Sequence, residues 1–217
     1  APVTLDHVWR NPDHHLRRTL PHFDGALVLT GGERAAREYV ALGARRARWG
    51  YCAVDDEFWR PVAPAMEYQC DLLFAGNRLP DRDERVQEFL LEPAALLPDR
   101  RFLLAGSQWE SLTLPRNVRS LGHLSPRDLR QAYSSANLVL NVNRAPMALY
   151  GYSPASRPFE ATSCGACLLT DRWPGVDELF VPAEEVLVAD SAADVATTLR
   201  ALTESTRRRL GKAARAR

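Results

Sequence analysis

The chain nearly lacks lysine: Lys212 is its only one, and the other strongly basic side chains are arginines. We read this as the base composition of the genome. Arginine is nevertheless the better bidentate partner for phosphate, so single arginines in loops merit attention. Several motifs are missing. No G-x-G-x-x-G follows any apolar run, which excludes the usual dinucleotide fingerprint. There is no Walker A lysine loop, no nucleophile elbow and no H-E-x-x-H. No apolar stretch is long enough to cross a membrane as a helix, and the N-terminus shows no signal-peptide pattern. A cytoplasmic location is the expectation. Charge of one sign is also missing: 28 basic and 27 acidic residues leave +1, giving no electrostatic argument for nucleic acid or a membrane surface.

Cysteine is sparse, with four residues. Cys164 and Cys167 form C-x-x-C, but they flank Gly165 at a helix-to-strand junction without a second pair at zinc spacing. We read them as small buried residues. His7, His14, His15 and His22 lie close in sequence, yet adjacent His14 and His15 point apart on any regular element. We expect no metal site and no cofactor.

What is present is a 46% hydrophobic chain in which short apolar runs alternate with helical stretches. The first 55 residues read as helix, strand, helix, strand, with Gly31-Gly32 at the strand-to-helix turn. A lone glycine pair there fits a phosphate cradle or a tight turn equally well. The Pro-punctuated segment 55–64 marks a boundary, giving units over 1–62 and 63–217. After it come strands near 71–75, 101–105, 118–121, 137–142, 166–170 and 185–188. Between and after them lie helices over about 82–97, 125–135, 156–164, 191–202 and 206–217. This alternation means an α/β fold with a Rossmann-like parallel sheet flanked by helices, preceded by an incomplete second α/β unit. Ligands of such sheets bind at the carboxyl ends of the strands.

The polar residues collect at those ends: Asn77, Arg78 and Arg82, then His123, then Asn143 and Arg144, then the stretch from Ser153 to Glu160. That stretch carries Ser153, Ser156 as N-cap, Arg157, Pro158 in the first turn, and Glu160. Arg78 and Arg82 fit a diphosphate; the competing reading, weaker for Arg78 than for Arg82, is an ion pair with Asp81, Asp83 or Glu84. Arg144 fits a ligand or a local acid. Glu160 fits ribose hydroxyls or a carboxylate favoured by the helix dipole. His123 fits a base, a sugar or a plain loop.

From Phe23 onward the chain resembles the CgeB-like (spore-maturation-type) glycosyltransferases of the GT-B fold. The matching runs are Tyr39-x-x-Leu42-Gly43-Ala44, Phe74 to Arg82, Leu121-Gly122-His123, Leu140 to Arg144, Gly151 to Ala161 and Gly165 to Asp171. The resemblance implies a donor-binding domain over 63–217 and the last part of an acceptor domain over 1–62, hence a piece of a longer protein. It implies transfer of a sugar from a nucleoside-diphosphate sugar to an unknown acceptor, without a metal. Glu160 matches the acid that binds the donor ribose, Arg78 the basic residue that meets the diphosphate, and Gly122-His123-Leu124 the place where the base packs. Many retaining relatives carry a second Glu eight positions before the ribose acid; here that position is Tyr152, and no residue matches a catalytic base. A nucleotide-sugar epimerase of the same fold and a non-catalytic binding module are the alternatives.

Overall fold

The computed structural model describes residue 11 and residues 13–217. The chain divides into two compact units. One gathers the described residues up to Cys52 with 145–154 and 173–175; the other holds 53–144, 155–172 and 176–217.

In the first unit a short helix, His15–Thr19, precedes strand β1 (Ala26–Val28), a helix over Gly32–Ala41 and strand β2 (Ala47–Trp49). β1 and β2 pair in parallel, Ala26 opposite Ala47 and Val28 opposite Trp49. Leu20, Val28, Ala35, Leu42 and Ala44 are buried together beneath them. The helix–strand–helix–strand order is the expected one. A further helix, Ala145–Tyr150, belongs to this unit; the sequence pattern gave no separate signal for it.

The second unit is built on six parallel strands: β3 (Leu72–Ala75), β4 (Phe102–Ala105), β5 (Val118–Gly122), β6 (Val139–Asn141), β7 (Leu168–Asp171) and β8 (Val186–Ala189). Their spatial order is β5-β4-β3-β6-β7-β8. The chain therefore starts at the middle, runs outward to β5, returns and runs outward the other way. That is the doubly wound order, with its topological switch point between β3 and β6.

Strand alternation sorts the apolar side chains onto two faces. Leu72, Phe74, Phe102, Leu104 and Leu140 pack on the helical run 83–96 and the helix Ala192–Ala201. Leu73, Ala75, Leu103, Val139 and Leu168 pack beneath helices Pro126–Ser135 and Arg157–Ser163. Both faces are covered, so the strands other than the edge strand β5 are largely apolar, as parallel sheets require.

Helix starts follow sequence signals. The hydroxyls of Ser125, Ser191 and Thr203 accept hydrogen bonds from the backbone N–H groups of Asp128, Asp194 and Thr206, respectively. The last helix thus begins at Glu204, two residues before its expected start. The helical run 83–96 is not regular: Gln87–Leu91 is π-helical between Asp83–Val86 and Glu92–Leu96. Pro93 has no N–H and would press on the carbonyl four residues back, so the preceding turn widens.

One buried side chain ties this core to the switch point. The Trp109 indole is 1% exposed, meets Phe74 edge to face at 6.2 Å and donates to the Gly76 carbonyl at 2.7 Å. Trp109→Ala would open a cavity and orphan that carbonyl. We expect it to lower unfolding free energy by about 3–5 kcal/mol, read from the urea midpoint.

Candidate functional site

At the carboxyl ends of β3 and β4 a cleft of about 410 Å³ opens in the second unit, reaching across to the Arg157–Ser163 helix. Its floor is Ala75-Gly76-Asn77 and Ala105-Gly106. The backbone there is drawn tight. Gly76 N–H donates to the Ala105 carbonyl and Gly106 N–H to that of Gly122. Gly106 has φ +128°, and a Cβ on it would overlap the Gly76 carbonyl, so only glycine fits.

Two guanidinium groups stand over Gly76. A Cβ placed there would lie 2.5 Å from Nη2 of Arg157 and 2.9 Å from Nη1 of Arg82. Both arginines are 7% exposed. Among the described residues neither has a carboxylate within ion-pair distance. Arg82 donates only to the Asn77 carbonyl, at 3.0 Å, and Arg157 to the amide oxygen of Asn141, at 3.1 Å. Arg157 also lies over the Phe74 ring, 4.9 Å from its centre. The Nε of each is buried with no acceptor. Burial, with the charges of Arg157 and Arg144 second, pulls Arg82 down to about 10. Buried cations are ordinarily paired; two of them over one glycine, without carboxylates, have the chemistry to hold an anion.

One turn after Arg157 on the same helix stands Glu160, half-buried, with the Tyr133 hydroxyl 3.4 Å from its Oε2. Tyr133 is 1% exposed, and burial raises its phenol well above the usual range. Its proton therefore stays in place as a donor to the carboxylate. His123 is exposed at the other rim, with Leu124 and Leu129 giving an apolar wall beside it.

The structure brings six of the ten sequence-derived candidates to this cleft: Asn77, Arg82, His123, Ser156, Arg157 and Glu160. Ser156 occupies the N-cap position, but its side chain makes no capping bond. The other four are engaged elsewhere. Arg78 makes a two-pronged ion pair with Asp83 and donates to Ser111. Arg144 grips Asp81 in the same way, at 2.6–3.0 Å. Asn143 is fully buried, its backbone N–H held by the Asp171 carboxylate. Ser153 belongs to the first unit, where it donates to the Gly151 carbonyl and accepts from Gly31 N–H. That bond also occupies one amide of the Gly31-Gly32 turn.

Sequence reading missed Tyr133, which sits on the inner face of a helix without any motif, and Asn141. Asn141 did leave a signal: a polar residue inside the buried run Val139 to Val142. The cysteines are as expected. All four are unpaired, and burial pushes the Cys70, Cys164 and Cys167 thiols up to about 12. Among the described residues no three His, Cys, Asp or Glu side chains converge as a metal-ligand set; His7 lies outside the described residues. No described helix is long and apolar enough to cross a membrane.

A family model described as "Glycosyl transferase-like" matches residues 82–217, more than half of the chain. The chain belongs to this family. No curated protein matches it. Among solved structures, HepE of Anabaena in complex with UDP-glucose aligns with TM-score 0.69 and 16% identity, over 95% of this chain and 64% of HepE. Sucrose-phosphate synthase from Thermosynechococcus elongatus aligns with TM-score 0.68 and 20% identity, over 92% and 54%. A glycosyltransferase from Rickettsia africae aligns with TM-score 0.65 and 12% identity, over 95% and 62%. The chain thus spans about half to two thirds of these proteins. At such identities the likeness shows the fold, which is that of the GT-B glycosyltransferases.

Two unpaired buried cations weaken a fold that holds no anion. Arg82→Met keeps the side-chain length and removes one of them. We expect this variant, without ligand, to be as stable as the parent or up to about 2 kcal/mol more stable in urea unfolding. A loss above about 1 kcal/mol would mean that Arg82 is a structural residue.

Proposed function

We propose that this glycosyl transferase-like chain binds a nucleoside-diphosphate sugar in the two-arginine cleft and transfers the sugar to an acceptor. The observation that carries the reading is the pair Arg82 and Arg157, buried without carboxylates over Gly76 at the switch point of the sheet. A diphosphate supplies acceptors for the guanidinium N–H groups that the Asn77 carbonyl and the Asn141 amide leave unused. As the sugar C1–O bond breaks, negative charge grows on the departing diphosphate oxygen. Two fixed guanidiniums stabilise that charge in the way a metal ion would, and we assign them that role.

Glu160 takes the ribose hydroxyls, with Tyr133 steadying one carboxylate oxygen. The base packs at His123 and Leu124. The family match and the fold shared with a UDP-glucose-bound protein support this reading. The motif runs quoted above make the CgeB-like type our assignment within the family. With it goes a division into an acceptor part over 1–62 and a donor domain over 63–217, and a cytoplasmic location. No feature of the cleft favours an epimerase or a non-catalytic module. Arg78 and Arg144, satisfied by Asp83 and Asp81, hold the loop after β3 and the turn after β6 in place.

Isothermal titration with UDP, GDP and dTDP tests the proposal. We expect one of them to bind, and Glu160→Ala to weaken that nucleotide by about 1–3 kcal/mol, the loss of a charge-assisted hydrogen bond. Absence of binding to all three would overturn the reading. Arg157→Ala should weaken the diphosphate strongly and the free nucleoside little, whereas Arg78→Ala should change both less than threefold. Equal effects of the two arginine variants would move the diphosphate away from Gly76.

A further inference from the structure

Arg157 is held from behind by a chain of buried hydrogen bonds. Its Nη1 donates to Asn141 Oδ1 at 3.1 Å. Asn141 Nδ2 donates to Thr170 Oγ1 at 3.0 Å, and Thr170 Oγ1 lies 3.2 Å from Asp171 Oδ1. Asp171 ends the chain. Its carboxylate meets Arg85 Nη2 at 2.7 Å and accepts from Asn143 N–H. Asn141 and Asp171 are fully buried and Thr170 is 1% exposed.

The two ends fix the direction of every bond. A guanidinium only donates, so Asn141 must present its oxygen to Arg157 and its nitrogen to Thr170. The Thr170 hydroxyl donates towards Asp171, where the backbone carbonyl at 3.1 Å and the carboxylate at 3.2 Å are both acceptors. Asn141 cannot turn without setting its nitrogen against the guanidinium and stranding a buried group, which costs more than the bond supplies.

The chain also keeps a charge away from Arg157. Asp171 is the nearby buried anion, and it is neutralised by Arg85 on the helical run 83–96. What reaches Arg157 is an amide oxygen, two side chains removed from that carboxylate. The amide orients the guanidinium without cancelling it, so its full positive charge faces the cleft. An aspartate at position 141 has nearly the same shape and would form an ion pair.

We propose that Asn141 is a positioning residue for anion binding: it fixes Arg157 over Gly76 through a neutral acceptor, so that the charge of Arg157 is reserved for the ligand. This rests on the reading that the cleft holds a diphosphate.

The test uses inorganic pyrophosphate as the probe, beside the best-binding nucleoside diphosphate and its free nucleoside. We expect Asn141→Asp to weaken pyrophosphate at least tenfold and Asn141→Ala two- to fivefold, with nucleoside affinity unchanged in both. In an Arg157→Ala background, Asn141→Ala should have no further effect on pyrophosphate, because the residue acts through Arg157. Equal pyrophosphate affinity of the Asp and Ala variants would overturn the charge argument. The same loss from Asn141→Ala with and without Arg157 would make Asn141 a general structural residue and overturn the proposal. If Asn141→Asp does not fold, the Asn141–Arg157 cycle decides by itself. Wild-type binding of pyrophosphate but of no nucleotide would sink the nucleotide-sugar reading and leave the role of Asn141 to be judged by the cycle. Binding of neither would overturn both.

Discussion

Two like charges held over one glycine constrain the rest of the second unit. Two guanidiniums brought to one buried spot repel each other, and burial adds its own cost. A fold tolerates this only if each guanidinium is pinned by other means. Arg82 is pinned by the Asn77 carbonyl, Arg157 by Asn141 and the Phe74 ring. Phe74 is in turn set by Trp109, which also takes the Gly76 carbonyl. A side chain at position 76 would occupy the space the two guanidiniums use and push them aside.

The sheet order makes this convergence possible. Arg82 enters on the connection leaving β3, Arg157 on the connection from β6 to β7. These connections pass over opposite faces of the sheet, and they approach each other only where the winding reverses. The acids of the region are already committed. Asp81 holds Arg144, Asp83 holds Arg78 and Asp171 holds Arg85. Each carboxylate so used already has its own cation, although Asp81 and Asp171 still act on Arg82 from a distance. The local pairing of acids and bases thus produces a net positive pocket in a chain whose overall charge is +1.

The sequence made the strands, most helices and the ligand-bearing edge legible, because both signals are local. Apolar runs bounded by glycine mark buried parallel strands, and polar residues after them mark the carboxyl ends. Which arginine would be free was not legible. Arg78 and Arg82 stand within one turn of the same acids, and pairing is settled by where the helical run begins. Arg82 sits at its N-cap position, turned in over Gly76, while Arg78 lies outside and reaches Asp83. Tyr133 was invisible for another reason: its partner Glu160 lies 27 residues away, on another helix. The π-helical turn was hidden as well, though Pro93 held the cause in plain view.

Tyr152 shows how one position passes from chemistry to packing. By the resemblance, retaining relatives place an acid there. In this chain Tyr152 has φ +48°, an uncommon backbone for a residue of its size, and its N–H donates to the Pro174 carbonyl at 2.7 Å. Its ring meets Trp49 edge to face at 5.4 Å. Gly32 and Gly175 lie against the same ring, where a Cβ would come within 3.0 and 2.6 Å of it. The Gly31-Gly32 turn, which by sequence alone fits a phosphate cradle, is therefore accounted for by two neighbours from the 145–154 segment. Ser153 occupies the amide of Gly31, and Tyr152 occupies the space beside Gly32. A carboxylate at position 152 would abandon that packing, so the tyrosine and the two glycines stand or fall together. If the cleft takes a nucleotide-sugar as proposed, the sugar half is held without an acid at that position.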